Sequence, residues 1–174
     1  DIKVTDGGSP GLTDVATFAI NLYDGNEAPT INNQTFSINE NSSNGTVVGT
    51  IVANDPDAGF NGARTFTVFG GSGATAFSVN SMGQIVVADR WQLNFETSPT
   101  FTLDVRVTDG GTPGLTDIAT ITINLNDLNE APTITSFPTT IAEDQTIAGY
   151  VTAYDQDYGP LAYSIVGGAD AGRF

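Results

Sequence analysis

Side-chain oxygens are concentrated in residues 124–132, which read Asn-Leu-Asn-Asp-Leu-Asn-Glu-Ala-Pro. Five of these side chains offer an oxygen, and a proline ends the run. Nearly the same stretch occurs at residues 21–29, as Asn-Leu-Tyr-Asp-Gly-Asn-Glu-Ala-Pro. Carboxylate and amide oxygens are the ligands that hard cations such as Ca²⁺ prefer. Because the stretch is used twice, we expect it to form a cation-binding joint between repeated units.

The rest of the chain repeats with the same spacing. Residues 4–14 read Val-Thr-Asp-Gly-Gly-Ser-Pro-Gly-Leu-Thr-Asp and recur, with one change, at residues 107–117, an offset of 107 − 4 = 103. The Asp-x-Asp sequence at 55–57 returns at 155–157, three residues early, which indicates a short deletion in the loop before it. Internal repetition at such a period is typical of tandem domains. We expect the tail of one repeat (1–27), a complete repeat (28–130) and the head of a third (131–174).

The complete repeat alternates apolar and polar side chains in the way that is typical of strands. Seven runs rich in Val, Ile, Phe and Thr are expected to be strands: residues 35–38, 46–53, 64–69, 77–79, 84–88, 101–107 and 118–125. In the sixth run, the odd-numbered residues from Phe101 to Val107 are expected to face inward and the even-numbered ones outward. Seven short strands in about 100 residues predict an all-β, immunoglobulin-like Greek-key sandwich, repeated end to end along the chain. Residues 89–96 are expected to hold one short helical turn, and Trp91 to pack in the core or at its rim.

Composition excludes several classes of function. The net charge is −15, with 5 basic against 20 acidic residues, which argues against nucleic acid or an anionic membrane surface as a partner, because phosphate binding needs clustered Lys and Arg. The absence of Cys excludes disulfides, and the absence of His removes most general bases and the usual nucleophile triads. No apolar run approaches transmembrane length, so direct membrane insertion is not expected. Because the sequence begins and ends within the repeating pattern, we expect it to be a piece of a longer protein.

Four carboxylate motifs occupy fixed places around the predicted strands. They are Glu40, Asp55-Pro56-Asp57, Leu93-Asn94-Phe95-Glu96 and Asp109-Gly110-Gly111-Thr112-Pro113. Together with the joint, they resemble in order and spacing the motifs of the cadherin repeat: Glu, Asp-x-Asp, Leu-Asp-x-Glu, x-Asp-x-Gly-x-Pro and an Asp-x-Asn-Asp joint. The resemblance covers the whole chain. The form of the joint is similar to that of cadherin-like repeats in long bacterial surface proteins.

The resemblance implies that calcium binds between repeats, with ligands from both sides. At the second joint (124–130) the implied ligands are Glu40, Glu96, Asn126, Asp127 and Asn129 from the repeat before and Asp155 and Asp157 from the repeat after. At the first joint (21–27) they are Asp24, Asn26, Asp55, Asp57, Asp109 and the carbonyl oxygen of Asn61. Asn94 and Asn124 stand where the family has Asp, so we expect weaker binding and fewer than three ions. Glu27 and Glu130 are left open between ligands and solvated side chains.

Ca²⁺ takes six to eight oxygens, which the facing loops of two sandwiches can supply where one loop cannot. Asp, Asn and Gly are also the usual turn formers, so each motif alone predicts only a turn. The occurrence of all five motifs in order favours a calcium site.

The sequence therefore predicts a calcium-stiffened stalk or adhesive repeat of a long extracellular, bacterial surface protein. Its expected partners are the neighbouring repeats; homophilic or head-to-tail copies, a cell-surface protein and a glycan stay open. The alternative function is a carbohydrate-binding module of a secreted polysaccharide-degrading system. Against it, the Tyr and Trp residues that could form a sugar-binding platform do not cluster in one repeat. Paired carboxylates also serve glycosidases, but no enzyme is expected, because these carboxylates recur at the ends of repeats.

Overall fold

Strands make up nearly all of the regular structure in the computed structural model, which describes residues 1–138, 140–143, 145–169 and 171–173. The strands are β1 (Ile2–Thr5), β2 (Thr13–Ala16), β3 (Thr30–Ile31), β4 (Gln34–Asn39), β5 (Val47–Thr50), β6 (Ala53–Asn54), β7 (Thr65–Gly70), β8 (Phe77–Val79), β9 (Gln84–Val87), β10 (Thr100–Thr108), β11 (Thr116–Asn126), β12 (Thr133–Ser136) and β13 (Thr152–Tyr154). Short 3-10 helices span Arg90–Gln92 and Ala171–Arg173. The prediction of an all-β fold is confirmed.

Two larger sheets and the two-stranded β3-β6 sheet form the middle part of the chain. One of the larger sheets has four strands in the order β4-β11-β10-β7, and the other has three in the order β5-β9-β8. Strand β11 is antiparallel to β10 but parallel to β4, with Leu125 opposite Ile38 and Asn126 opposite Asn39. Strands β4 and β11 therefore run side by side toward the second joint and end opposite each other.

Apolar side chains of the two sheets pack against each other between them. Leu103, Val105 and Val107 of β10 are buried, whereas Arg106 between them is exposed, so the predicted alternation is confirmed. The rings of Phe77 and Phe101 meet edge to face with centroids 5.5 Å apart. Burial of each such side chain contributes about 1.5–3 kcal/mol to the stability of the sandwich.

The second predicted strand is divided in the structure. Where we expected one strand over residues 46–53, β5 pairs with β9 and β6 pairs with β3, so the chain changes sheets between Thr50 and Ala53. Where the chain changes sheets, the side chain of Gln34 hydrogen-bonds to the backbone of Val52. Its Oε1 accepts from the N–H of Val52 at 2.9 Å and its Nε2 donates to the Val52 carbonyl at 2.9 Å. Strand β3 was not predicted, because two residues give no periodic signal.

The region around Trp91 contains one confirmed prediction and one wrong one. The 3-10 helix Arg90–Gln92 is the expected helical turn, and Asp89 caps it by accepting from the Trp91 N–H at 3.1 Å. Trp91 itself is 82% exposed, so it does not pack in the core. Its ring lies instead under the guanidinium of Arg90, 5.0 Å from ring centroid to Cζ, which stabilises an aromatic face in water through a cation–π contact.

The part before the sandwich reproduces its local structure. The β1–β2 hairpin closes around Asp6, whose Oδ1 accepts from Gly8 N–H at 3.0 Å and Leu12 N–H at 2.9 Å. In the β10–β11 hairpin, Asp109 Oδ1 accepts from the N–H groups two and six residues later, at 3.0 and 2.9 Å. The same sequence motif therefore builds the same turn. Within the described residues no helix has the length and hydropathy needed to cross a membrane.

Candidate metal centres

Glu40 is the buried anchor of the second joint. It directly follows β4, and the parallel pairing of β4 with β11 brings it beside the residues that follow Asn126. The side chain is only 1% exposed. Its Oε2 accepts from Phe95 N–H at 2.9 Å and its Oε1 from Leu128 N–H at 2.8 Å. Backbone donors thus fix the position of the Glu40 carboxyl group at the end of the sandwich.

Two groups of three carboxylates meet at the second joint. One consists of Glu40, Glu96 and Asp127, the other of Glu96, Glu130 and Asp157. In each group, one oxygen per residue lies within 4.8 Å of the others. Ligands on one Ca²⁺ are at most about 5 Å apart, because each Ca–O distance is roughly 2.3–2.6 Å. Glu96 belongs to both groups, so the two sites are adjacent and share a residue.

The repeat beyond the second joint contributes Asp157 through a specific backbone contact. Its Oδ2 accepts from the N–H of Glu130 at 2.8 Å. Asp155 shapes the loop, because its Oδ1 accepts from the N–H of Asp157 at 3.0 Å. Within the described residues, Asp155 belongs to none of the three clusters of carboxylates.

The first joint repeats this arrangement. Asp24, Glu27 and Asp57 form its carboxylate group, again within 4.8 Å. Asp57 Oδ2 accepts from Glu27 N–H at 2.9 Å, and Asp55 Oδ1 accepts from Asp57 N–H at 3.0 Å. The Asp-x-Asp loop therefore receives the end of the joint in the same way at both places.

Asn26 links the first joint to the Asp109 turn. Its Nδ2 donates to Asp109 Oδ2 at 2.9 Å. Burial alone would raise the pKa of Asp109, but hydrogen bonds from Leu115 N–H, Asn26 and Gly111 N–H outweigh it and lower this pKa below its ordinary value. A side chain at Gly111 would overlap Asn26, because an added Cβ would lie 1.9 Å from Asn26 Oδ1. Asp109 is thus an ionised, fully hydrogen-bonded turn residue, and its role as a metal ligand stays a prediction.

Three other predicted ligands, and Asn124, hydrogen-bond to protein partners. Asn126 Nδ2 donates to Asn39 Oδ1 at 2.9 Å, and Asn129 Nδ2 to the Glu130 carbonyl at 3.2 Å. The Asn61 carbonyl accepts from Gly110 N–H at 3.2 Å. Asn124, which replaces a family Asp, lies inside β11, where its Oδ1 accepts from Thr100 Oγ1 at 3.1 Å. The hydrogen bond of Asn124 is to a strand neighbour and not to the joint.

Repulsion between the carboxylates changes the protonation of the two joint glutamates. The pKa of Glu130 is raised by burial and by the negative charges of Glu40, Asp157 and Glu96, against the opposing hydrogen bond from Asn41. The pKa of Glu27 is raised first by its hydrogen bond with Asp57, then by burial and by neighbouring aspartates. Both joints therefore hold more negative charge than their own hydrogen bonds balance.

Several buried oxygens at the joints have no hydrogen-bond partner within the described chain. They are Asn26 Oδ1, Asp55 Oδ2, Glu96 Oε2 and Glu130 Oε2. Buried polar atoms without partners are rare in folded proteins, and an ion or ordered water normally explains them. All four are hard oxygen acceptors on acidic or amide side chains, so the residues present fit a bound Ca²⁺.

Sequence reasoning left two residues of these groups undecided, Glu27 and Glu130. The signal that identifies them was present, since both precede Ala-Pro at the same offset of 103 (130 − 27). It did not distinguish a ligand from a solvated side chain, because that depends on the Asp-x-Asp loop of the following repeat. Asn41 gave no signal: it has a left-handed φ of 58° and donates to Glu130 Oε1 at 2.7 Å.

Comparison with known proteins identifies the family. The Cadherin domain model matches residues 34–126. Protocadherin Fat 4 of Homo sapiens is 36% identical over 150 residues, which cover 82% of this chain and 3% of that protein. Cadherin-87A of Drosophila melanogaster is 34% identical over 193 residues, which cover 99% of this chain and 10% of that protein. The chain belongs to the cadherin family and spans a small part of the length of these relatives.

Solved structures agree with the fold. The protocadherin gammaB7 EC3-6 cis-dimer structure superposes with a TM-score of 0.69 at 26% identity, covering 90% of this chain and 42% of that one. The structure of protocadherin gamma B7 extracellular cadherin domains 1–4 gives 0.68 at 28% identity, with 90% and 40% covered. The predicted tandem Greek-key sandwich is confirmed. Cadherin domains are adhesion modules and not enzymes, as expected from the sequence, and these comparisons give no support to the carbohydrate-binding alternative.

Proposed function

We propose that the chain is a calcium-binding segment of an extracellular adhesion protein, in which ions at the two joints fix the angle between successive repeats. The observation that carries the proposal is the set of partnerless buried oxygens at the joints, next to three carboxylate groups. Oxygen donors without His or Cys favour a hard cation, and variable geometry with up to eight ligands favours calcium over magnesium. The repeat boundaries near residues 27 and 130 are part of the proposal.

The ligands come from both sides of each joint. At the first joint we assign Asp24, Glu27 and Asp57, with Asn26 Oδ1 and Asp55 Oδ2 as additional oxygens. At the second joint we assign two adjacent sites, Glu40–Glu96–Asp127 and Glu96–Glu130–Asp157. Asn129, Asn126, Asp155, Asp109 and the Asn61 carbonyl complete the predicted set.

A bound calcium ion would supply positive charge that cancels the repulsion within each group. The chain's own part is to aim the oxygens: backbone N–H groups fix Glu40, Asp57 and Asp157, as described above. Without the cation, like charges within 5 Å repel by an amount that solvent and salt reduce but do not remove. Loss of calcium is therefore expected to loosen the angle between repeats before the sandwich unfolds.

The extracellular location and the partners are proposed from the relatives. These are protocadherins and cadherins, and one solved neighbour is described as a cis-dimer. We propose neighbouring repeats as the constant partner and a second cadherin-like surface as the adhesive one. The bacterial origin stays a prediction, since it rests on the form of the joint alone.

Small-angle scattering and titration calorimetry test the calcium proposal together. Chelator should change the maximum dimension while the sandwich keeps its circular dichroism spectrum, and calcium should restore it. The Asp127→Asn variant should bind less calcium, whereas Asp104→Asn should bind as the unaltered chain does, because Asp104 lies on β10 and contacts Thr120 Oγ1 at 3.3 Å. No heat of binding and an unchanged dimension would overturn the proposal.

A further inference from the structure

Asn94 and Gln156 form a hydrogen bond that crosses the second joint. Asn94 Nδ2 donates to Gln156 Oε1 at 2.8 Å, and both side chains are half-buried. Asn94 lies between the 3-10 helix and β10, on one side of the joint, while Gln156 lies just after β13, on the other. The bond joins the two sides through groups that carry no charge.

The orientation of this amide pair is fixed by a third contact. Asn94 Oδ1 accepts from Thr97 N–H at 2.8 Å, so the nitrogen of the amide must face Gln156. Gln156 must then present its oxygen, because an amide nitrogen cannot accept. The uncharged amide of Asn94 has protein partners on both its oxygen and its nitrogen, and we assign it no place among the metal ligands.

The pair lies directly beside the carboxylates whose repulsion opposes the joint. Asn94 is two residues from Glu96, and Gln156 precedes Asp157; these two carboxylates belong to one group. An aspartate at position 94 would add a further negative charge there. The neutral amide adds no repulsion, and its hydrogen bond needs no ion and is hardly affected by salt.

We propose that Asn94 and Gln156 are positioning residues that hold the second joint in register without a metal ion. The exchange of a family carboxylate for Asn94 removes a ligand and provides a direct bond between repeats. The proposal requires only that the joint exists; it does not depend on calcium binding.

The first joint provides an internal comparison. At the 100-residue offset of the Asp-x-Asp loops (156 − 56), Gln156 corresponds to Pro56. Proline has no side-chain donor or acceptor, so the first joint cannot form this contact. Asn26 links the first joint to Asp109 instead, so changes at positions 94 and 156 should loosen the second joint and leave the first unaffected.

A double-mutant cycle in the full chain tests the pair. Asn94→Ser keeps an oxygen for Thr97 N–H but is too short to reach Gln156, and Gln156→Ala removes the acceptor while leaving the Asp-x-Asp loop. Because the chain has no cysteine, Ser78→Cys and Ser164→Cys place specific fluorescent labels on the two sides of the joint. A second pair, Thr13→Cys with Ser78→Cys, reports on the first joint as a control.

In chelator, each single variant should lower the ratio of aligned to unaligned molecules about two- to tenfold, the range for one net hydrogen bond. The double variant should be no worse than either single variant, and the first-joint label pair should not respond. Additive single effects in chelator, or coupling that is present only with calcium, would overturn the proposal. Calorimetry on the same samples reports calcium binding separately, so an absence of calcium binding leaves the result of the cycle readable.

Discussion

Glu130 donates its backbone N–H to Oδ2 of Asp157 at 2.8 Å, and its carboxylate belongs to the same group as that of Asp157. One residue thus fixes the position of the following repeat's aspartate and repels its charge. Glu27 and Asp57 show the same relationship at 2.9 Å in the first joint. The attraction through the backbone sets the geometry, and the repulsion between side chains makes the geometry sensitive to cations.

The shared position of Glu96 predicts a large effect on calcium binding. Because Glu96 belongs to both groups of the second joint, Glu96→Gln removes a charge from two sites at once. We expect a loss of affinity at that joint at least as large as the roughly 10–100-fold typical of losing a partner in the outer shell of a metal site. Titration calorimetry measures it, with Asp104→Asn as the control; equal affinities in the two variants would contradict the assignment of Glu96.

Glu40 is expected to matter for folding as well as for binding. Glu40→Ala removes the acceptor of Phe95 N–H, so in chelator it should lower the free energy of unfolding by about 1–3 kcal/mol. Glu96→Ala is the matched comparison, because Glu96 Oε2 has no partner in the described chain. It should leave that free energy unchanged or raise it slightly by removing repulsion. Urea unfolding in chelator compares the two, and equal losses would show that Glu40 is not a special anchor.

Acidification is predicted to tighten the joints when no metal is present. The pKa values of Glu27 and Glu130 are raised above the ordinary 4.5 when the joint is formed. The formed joint therefore binds more protons than the open one between the ordinary and the raised pKa. The penalty from their charge is fully present above the raised pKa and is lost as the pH falls through it.

A pH series of the label distances in chelator tests this sign. The aligned fraction should grow as the pH falls toward the ordinary glutamate pKa of 4.5, and the double variant Glu27→Gln with Glu130→Gln should show little growth. With calcium present, the same acidification should weaken alignment, because protons compete for the ligands. A metal-free joint that opens on acidification in chelator would contradict the raised pKa values.

Two substitutions of Asn41 distinguish the effect of its backbone conformation from the effect of its side-chain contact. Its left-handed φ of 58° suits glycine and disfavours alanine, and its amide holds Glu130 Oε1 at 2.7 Å. Asn41→Ala should melt lower than Asn41→Gly by the equivalent of about 1–2 kcal/mol, the cost of that φ for a residue with a Cβ. Both variants should change calcium affinity equally, since both lose the amide. Thermal melting in chelator, followed by calorimetry, distinguishes the two effects.

The regular features of the chain could be read from its sequence. The inward face of β10, from Phe101 to Val107, follows from alternation alone, and the turn at Asp109 follows from its copy at Asp6. The proposed calcium ligands stay a prediction, which was made as a set because five motifs in a fixed order carry more information than any one of them.

The contacts that sequence reasoning missed depend on distant parts of the chain. Asn94 was read as a weakened ligand, because its partner Gln156 lies 62 residues away and nothing local marks it. The change of sheets after Thr50 depends on Gln34, whose side chain replaces a missing strand neighbour. Trp91 was expected in the core or at its rim, but the ring is exposed and its neighbour Arg90 stabilises it at the surface.

The parallel pairing of β4 with β11 determines how the repeat carries tension. A pull on the chain at residues 27 and 130 draws the start of β4 and the end of β11 apart along the strand direction. The six residue pairs from Gln34–Ile121 to Asn39–Asn126 are then loaded in shear, so their hydrogen bonds share the force and do not open one after another. A single repeat should resist pulling at its ends more strongly than pulling that peels β7 from the edge of the sheet.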